Sequence, residues 1–99
     1  MDKIFKALAD KNRRKILTLL RNKDMSVSDL LGHFENIGQA TLSSHLAILR
    51  KVNLVEYRVL GKQRIYRLNT SLLVAFAENM RRFAGKLDES LIQDIAIRH

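Results

Sequence analysis

Hydrophobic positions recur at helical spacing through the first half of the chain, and the polar residues between them mark where each helix begins. Ile4, Phe5 and Leu8 share one face of a short helix within residues 1–9. Asp10 is a good N-cap for a second helix, KNRRKILTLLRNK, with Ile16, Leu17, Leu19 and Leu20 as its core side. Ser26, followed three residues later by Asp29, resembles a capping box and starts SVSDLLGHF, closed near Glu35-Asn36. Gly38 opens the next helix at about Gln39. Leu42, Leu46 and Leu49 give it a buried stripe that runs to Val52.

The period then changes from helical to alternating. VEYRVL and QRIYRL flank the two-residue turn Gly61-Lys62, which predicts a tight β-hairpin. In that register Tyr57 faces Tyr66 and Glu56 faces Arg67, two favourable cross-strand pairs that agree independently. After Asn69-Thr70-Ser71, residues 72–97 return to helical period. Leu73, Phe76, Met80, Phe83 and Leu87 step by three and four, and Leu91 and Ile95 extend the seam. A helix over residues 72–97 is about 39 Å long, longer than so small a core is wide, so part of it is expected to need a partner.

Composition narrows the class. The 99 residues are one domain's worth, and a hydrophobic fraction of 46% places the chain among globular proteins. There is no cysteine, so disulfides, thiolate metal sites and thiol redox sensing are excluded. Apolar runs fall far short of the ~18 residues a membrane span needs, and the N-terminus reads as no signal peptide, so a cytoplasmic protein without membrane insertion is expected.

The formal net charge of +8 points to an anionic partner, nucleic acid before membrane. The excess lies in the middle. Residues 36–77 hold six basic side chains against Glu56 alone, whereas residues 78–99 balance four against four. Yet residues 36–49, NIGQATLSSHLAIL, carry no Asp, Glu, Lys or Arg.

Two short helices followed by a hairpin form a winged helix-turn-helix, a mainly α fold with a small β-hairpin, here a single domain over residues 1–99. Residues 26–52 are the helix-turn-helix and residues 54–68 the wing. The uncharged stretch then has a purpose, because base edges in the major groove are read by neutral donors, acceptors and methyl groups. Gln39, Thr41, Ser43 and Ser44 supply polar groups, and Ala40, Ser44, Ala47 and Lys51 point most directly away from the leucine stripe. Small side chains such as Ala40 allow close approach. Arg50 and Lys51 at the helix end, with Arg58, Lys62, Gln63 and Arg64 around the hairpin tip, are the candidate phosphate and wing contacts. His45 lies beside the stripe and is more simply a satisfied, half-buried histidine. Arg13, Arg14 and Lys15 read most simply as a solvated face.

FKALADKNRRKILTLL, DMSVSDLLGHF, IGQATLSSHLAILRKVNLV and YRVLGKQRIYRLN resemble, in this order over residues 5–69, the arsenic-repressor (ArsR/SmtB) family of bacterial winged-helix regulators. DMSVSDLLGHF and the short chain are similar to its small autorepressors of the sporulation-delay type. The resemblance implies a homodimeric transcriptional repressor of double-stranded DNA, paired through its first and last helices (residues 1–9 and 72–97). Phe5, Leu73, Phe76, Met80, Phe83 and Leu87 are the implied interface. Two reading helices would then meet a pseudo-palindromic operator at a spacing of about 34 Å. A sequestering protein partner is an open further implication.

The chain departs from the family pattern at Lys11, Gly38, Ala40, Ser44 and Ala47, where proline, serine, proline, histidine and lysine are common. These departures spare the fold and bear on which operator is read. Ser26-Val27-Ser28-Asp29 replaces the family's cysteine motif, and the last helix has no Asp-x-His. Asp88, Glu89, Asp94 and His99 are better read as solvated charge than as zinc ligands, so no metal or other cofactor is expected. Nor is an enzyme expected. No nucleophile motif or phosphate loop is present, and Ser43, Ser44 and His45 are neighbours on one helix. A winged-helix protein-interaction module and a sequence-independent nucleic-acid binder are the alternatives.

Overall fold

Capping decides where the first helices start. The computed structural model describes the backbone of residues 2–98 and the side chains of residues 2–86. Helix α1 (Asp2–Leu8) is followed by α2 (Lys11–Asn22), a two-residue strand β1 (Met25–Ser26), α3 (Val27–Leu31) and α4 (Gln39–Lys51). Strands β2 (Val55–Leu60) and β3 (Gln63–Leu68) lead into α5 (Thr70–Arg98). The chain divides into two compact units, Met1–Asn69 and Thr70–His99.

Asp10 caps α2, its Oδ1 accepting from the backbone N–H groups of Asn12 at 2.8 Å and Arg13 at 3.1 Å. The Arg13 N–H is the main reason that this carboxyl is held below the ordinary Asp value of 3.8, with Asn12 and the nearby charges of His45 and Arg13 adding to it against partial burial. A folded-state value that is depressed gives stability that is present above 3.8 and is lost as pH falls through the folded value. Asp10→Ala is therefore expected to cost about 1 kcal/mol at pH 7, with the gap to the wild type narrowing as pH falls below 3.8 toward pH 3. Urea titrations at both pH values check this; a gap of equal size at pH 3 would refute the capping account.

Ser26 caps α3 reciprocally. Its Oγ accepts from the Asp29 N–H at 3.1 Å, and its own N–H donates to Asp29 Oδ2 at 3.2 Å. The Ser26 N–H first, and the Ser26 hydroxyl second, hold the Asp29 carboxyl below its ordinary value. Ser26 is itself buried, and among the described residues no buried side-chain polar atom lacks a hydrogen-bond partner.

The core of the first unit gathers one stripe from each helix. Ile16 and Leu20 of α2, Leu30 of α3 and Leu42, Leu46 and Leu49 of α4 meet Leu54, Val55 and Tyr66, all 5% exposed or less. The hairpin register is the one expected, with Tyr57 opposite Tyr66 and Glu56 opposite Arg67. Gly61 takes φ +63° in its turn, the left-handed region where a glycine carries no Cβ penalty.

The sheet has a third strand that periodicity did not reveal. β1 pairs antiparallel with β3, Met25 opposite Tyr66 and Ser26 opposite Ile65, so the order is β1-β3-β2. A two-residue strand has no alternation to read. α3 is also shorter than the expected SVSDLLGHF, ending at Leu31 with Gly32 as its C-cap. The next residues close 3₁₀-type turns, with N–H groups of His33 and Phe34 donating to Leu30 and Leu31 carbonyls. Phe34 instead lies under the Lys15 ammonium, 4.7 Å from its ring centre.

α4 ends where Asn53 turns the chain into β2. Asn53 takes φ +64°, and the Leu54 N–H reaches back to the Leu49 carbonyl at 3.0 Å. Asn69 then donates its Nδ2 to the Asn53 carbonyl at 2.8 Å and its N–H to Leu54 at 2.9 Å, fixing the far end of β3 against this turn. The angle at which the hairpin leaves α4 is set here.

In the second unit, α5 has 29 residues, about 43 Å of helix. Val74 and Phe83 are each 57% exposed, while Leu73, Phe76 and Met80 are half-buried. The side chains of Leu87, Asp88, Glu89, Leu91, Asp94, Ile95 and His99 lie outside the described residues. Among the described residues no helix is long and apolar enough to cross a membrane.

Candidate nucleic-acid interface

α4 is amphipathic in an unusual sense, since its polar side is uncharged until the last turn. Leu42, Leu46 and Leu49 are fully buried, whereas Gln39, Ala40, Thr41, Ser43, Ser44 and Ala47 are all exposed, as is Lys51. The outward residues are therefore small and neutral, and Arg50 and Lys51 follow them at the helix end. Ile48 belongs to this face as well, one turn beyond Ser44 and 42% exposed. Its position off the leucine stripe was visible in the spacing, and an apolar group there suits a thymine methyl.

The hairpin tip adds a second neutral-and-basic surface. Val59 and Leu60 are 67% and 62% exposed beside Lys62, Gln63 and Arg64. Gln39 at the start of α4 shares a shallow hollow with Ser26, Val27 and Ser28 on one side and Lys62, Gln63 and Arg64 on the other. The first turn of α4, the start of α3 and the wing strands thus converge. Gly38 caps α4 without a side-chain hydrogen bond, which leaves the approach to Gln39 open.

The expected wing cations differ in how their charge is held. Arg58 is paired with Asp24 at 2.8 Å, both side chains well exposed. Arg67 is paired with Glu56 at 2.6 Å. Arg50 and Arg64 instead rest against the Tyr57 ring, their guanidinium carbons 5.1 and 4.6 Å from its centre. At solvent-exposed sites such contacts contribute about 0.5–1 kcal/mol, enough to bias a side chain but not to anchor a fold.

Arg13 and Arg14 are more than a solvated face. Arg13 donates Nε to the Ala7 carbonyl at 2.6 Å and Nη2 to Lys6 at 3.0 Å, and Arg14 donates Nη1 to Leu8 at 2.7 Å. These are the terminal carbonyls of α1, which have no partner within that helix. Arg13 also places Nη1 3.3 Å from His45 Nδ1, and His45 Nε2 lies 4.0 Å from Asp10 Oδ1. The ring thus faces both groups, Nδ1 toward the guanidinium and Nε2 toward the Asp10 carboxylate. His45 is half-buried, as expected, and ties α4 to the α1–α2 corner. Lys15 likewise donates to the His33 carbonyl at 2.6 Å. Long-range roles of this kind leave no trace in spacing.

Comparison with known proteins agrees with this architecture. Residues 10–57 match the family described as "Bacterial regulatory protein, arsR family". The chain is similar to the transcriptional repressor SdpR of Bacillus subtilis, 38% identical over 91 residues, which cover 92% of this chain and 100% of that protein. Among solved structures, an ArsR-like transcriptional regulator from Rhodococcus sp. RHA1 superposes with a TM-score of 0.84 at 30% identity, covering 99% of this chain and 91% of that one. The homodimeric winged helix-turn-helix DNA-binding domain of Mb0332 from Mycobacterium bovis has a TM-score of 0.68 at 27% identity, over 89% and 82% of the two chains. The chain belongs to the ArsR family, bacterial transcriptional regulators that bind DNA through a winged helix-turn-helix.

Proposed function

We propose that the chain is a homodimeric repressor that occludes a promoter, its own among the first candidates, by reading a pseudo-palindromic operator. The observation that carries this is the uncharged outer face of α4 with cations only at its end and on the wing. Bases are discriminated by neutral groups in a groove that a small-residue helix can enter closely, and phosphates hold the register. Gln39, Ala40, Thr41, Ser43 and Ser44, with Ile48, are the base-facing set. Arg50, Lys51, Lys62, Gln63 and Arg64 contact phosphate or the flanking groove, and Arg58 joins them by exchanging Asp24 for DNA.

Repression is supported by the full-length similarity to SdpR, and pairing by the homodimeric Mycobacterium bovis domain. Phe5 and Phe83, 47% and 57% exposed, with Leu73, Phe76, Met80 and Leu87, are the proposed contact between copies. A protein that sequesters the dimer is a fitting release signal for a repressor of this subgroup.

Fluorescence anisotropy with duplex from upstream of its own gene, against scrambled competitor over a salt series, tests the reading. The expected result is binding retained over competitor, with log K falling linearly in log salt by several phosphates' worth. Binding without preference for any promoter fragment would sink the operator reading, and transcription that rises on binding would make the protein an activator. Sedimentation at micromolar concentration is expected to give a dimer; a monomer would remove the two-site operator.

A further inference from the structure

Tyr57 is absent from every expectation about DNA contact, yet the two most suitably placed arginines both lean on it. It sits half-buried on β2, its ring 5.4 Å from that of Tyr66 and tilted by 44°. Arg50 reaches it from the last turn of α4, and Arg64 from the β3 side of the hairpin. Both are exposed, and their guanidinium carbons lie within about 10 Å of each other, because each is close to the same ring centre. Among the described residues neither has a carboxylate partner; the ion pairs nearby are Arg58–Asp24 and Arg67–Glu56.

The choice of anchor matters. A carboxylate would fix an arginine by occupying its forked donors and cancelling its charge. An aromatic face fixes the cation through the ring quadrupole and leaves the N–H groups free to donate outward. Two unneutralised guanidinium groups within one Debye length repel each other until an anion arrives. A DNA strand offers one phosphate for every ~3.4 Å of helix rise, so two guanidinium groups no more than about 10 Å apart can engage the same or neighbouring phosphates.

We propose that Arg50, Tyr57 and Arg64 form a single phosphate clamp that grips the DNA backbone between the end of α4 and the wing. Tyr57 is its positioning residue, presenting both guanidinium groups at once. The proposal rests on the reading that α4 and the hairpin face DNA, but the clamp itself is indifferent to sequence. It is therefore testable on any duplex.

The experiment measures binding of the full chain to a nonspecific 20-base-pair duplex between 50 and 300 mM NaCl, with circular dichroism melts alongside. Tyr57→Phe keeps the ring and is expected to match the wild type in affinity and salt slope. Tyr57→Leu is expected to bind roughly tenfold more weakly at 100 mM salt, its log–log slope shallower by about 1 to 2, since each phosphate contact contributes about 0.9. The double variant Arg50→Gln/Arg64→Gln leaves the core intact and is expected to lose about 2 from the slope, so the test survives if Tyr57→Leu folds poorly. Adding Tyr57→Leu to that double variant is expected to cost nothing more in binding.

An unchanged slope in the arginine double variant overturns the clamp while leaving the repressor reading standing. Further loss of binding on adding Tyr57→Leu, with the fold intact, overturns the positioning role. Slope changes as expected in a protein with no promoter preference support the clamp and overturn the operator reading. Absence of binding to any duplex at any salt overturns both.

Discussion

Replacing Leu46 by alanine is expected to lower the unfolding free energy by about 3 kcal/mol and the melting temperature by roughly 10–20 °C. Leu46 is fully buried, between Leu42 and Leu49 on the inner stripe of α4, with Leu30 and Leu54 also at zero exposure in the same core. Truncating its isobutyl group to a methyl deletes transfer energy and leaves a void that rigid neighbours fill only in part. A domain of this size has about 5–15 kcal/mol in total, so the loss is a large share. Thermal and urea unfolding at one fixed protein concentration measure it, the concentration being fixed because association adds to apparent stability. A change below 1 kcal/mol would mean that α4 is not held by this stripe. DNA binding by Leu46→Ala is expected to persist at 10 °C and to fail near its lowered melting point, because the outer face is untouched.

How far the sequence reveals such a core depends on whether one local rule dominates. The α4 stripe is legible because three leucines repeat at helical spacing with no competing large apolar residue except Ile48. The hairpin register is legible because Tyr57–Tyr66 and Glu56–Arg67 both require it, and Gly61 supplies the one backbone conformation the turn demands. Capping is equally local. Asp10 and Ser26 announce their helices from within three residues of the N–H groups they accept from.

What escapes is what depends on chain segments far apart in sequence. β1 exists because β3 has a second edge to satisfy, and nothing in Met25-Ser26 says so. The end of α3 is set by Gly32 and by Phe34 lying under Lys15, not by the apolar pattern of SVSDLLGHF. Arg13 reads as a solvated cation in sequence and emerges as a bracket joining Lys6, Ala7 and His45. The candidate site divides the same way. Exposure of the α4 residues follows from periodicity, whereas the convergence of Arg50 and Arg64 on Tyr57 requires helix end, strand and hairpin to be already assembled.

The outer face admits the sharpest functional test. Ser44→Glu is expected to weaken promoter binding by at least 100-fold, about 3 kcal/mol, while changing stability by less than 0.5 kcal/mol. Ser44 is exposed and points away from the stripe, so the fold has no stake in its side chain. In a complex, however, a carboxylate there would be pushed between two rows of phosphates and desolvated against base acceptors. Sterics and charge are separable, because Ser44→Gln adds nearly the same volume without the charge and is expected to lose less, about tenfold, with altered base preference. Net charge is controlled by Thr18→Glu on α2, which makes the same change at an exposed site off the reading face and is expected to lose no more than about threefold. Equal losses for Ser44→Glu and Thr18→Glu would mean that only the overall field matters, and α4 would no longer be the reading helix. A large loss confined to Ser44→Glu ties recognition to the longest uncharged stretch in a chain of net charge +8.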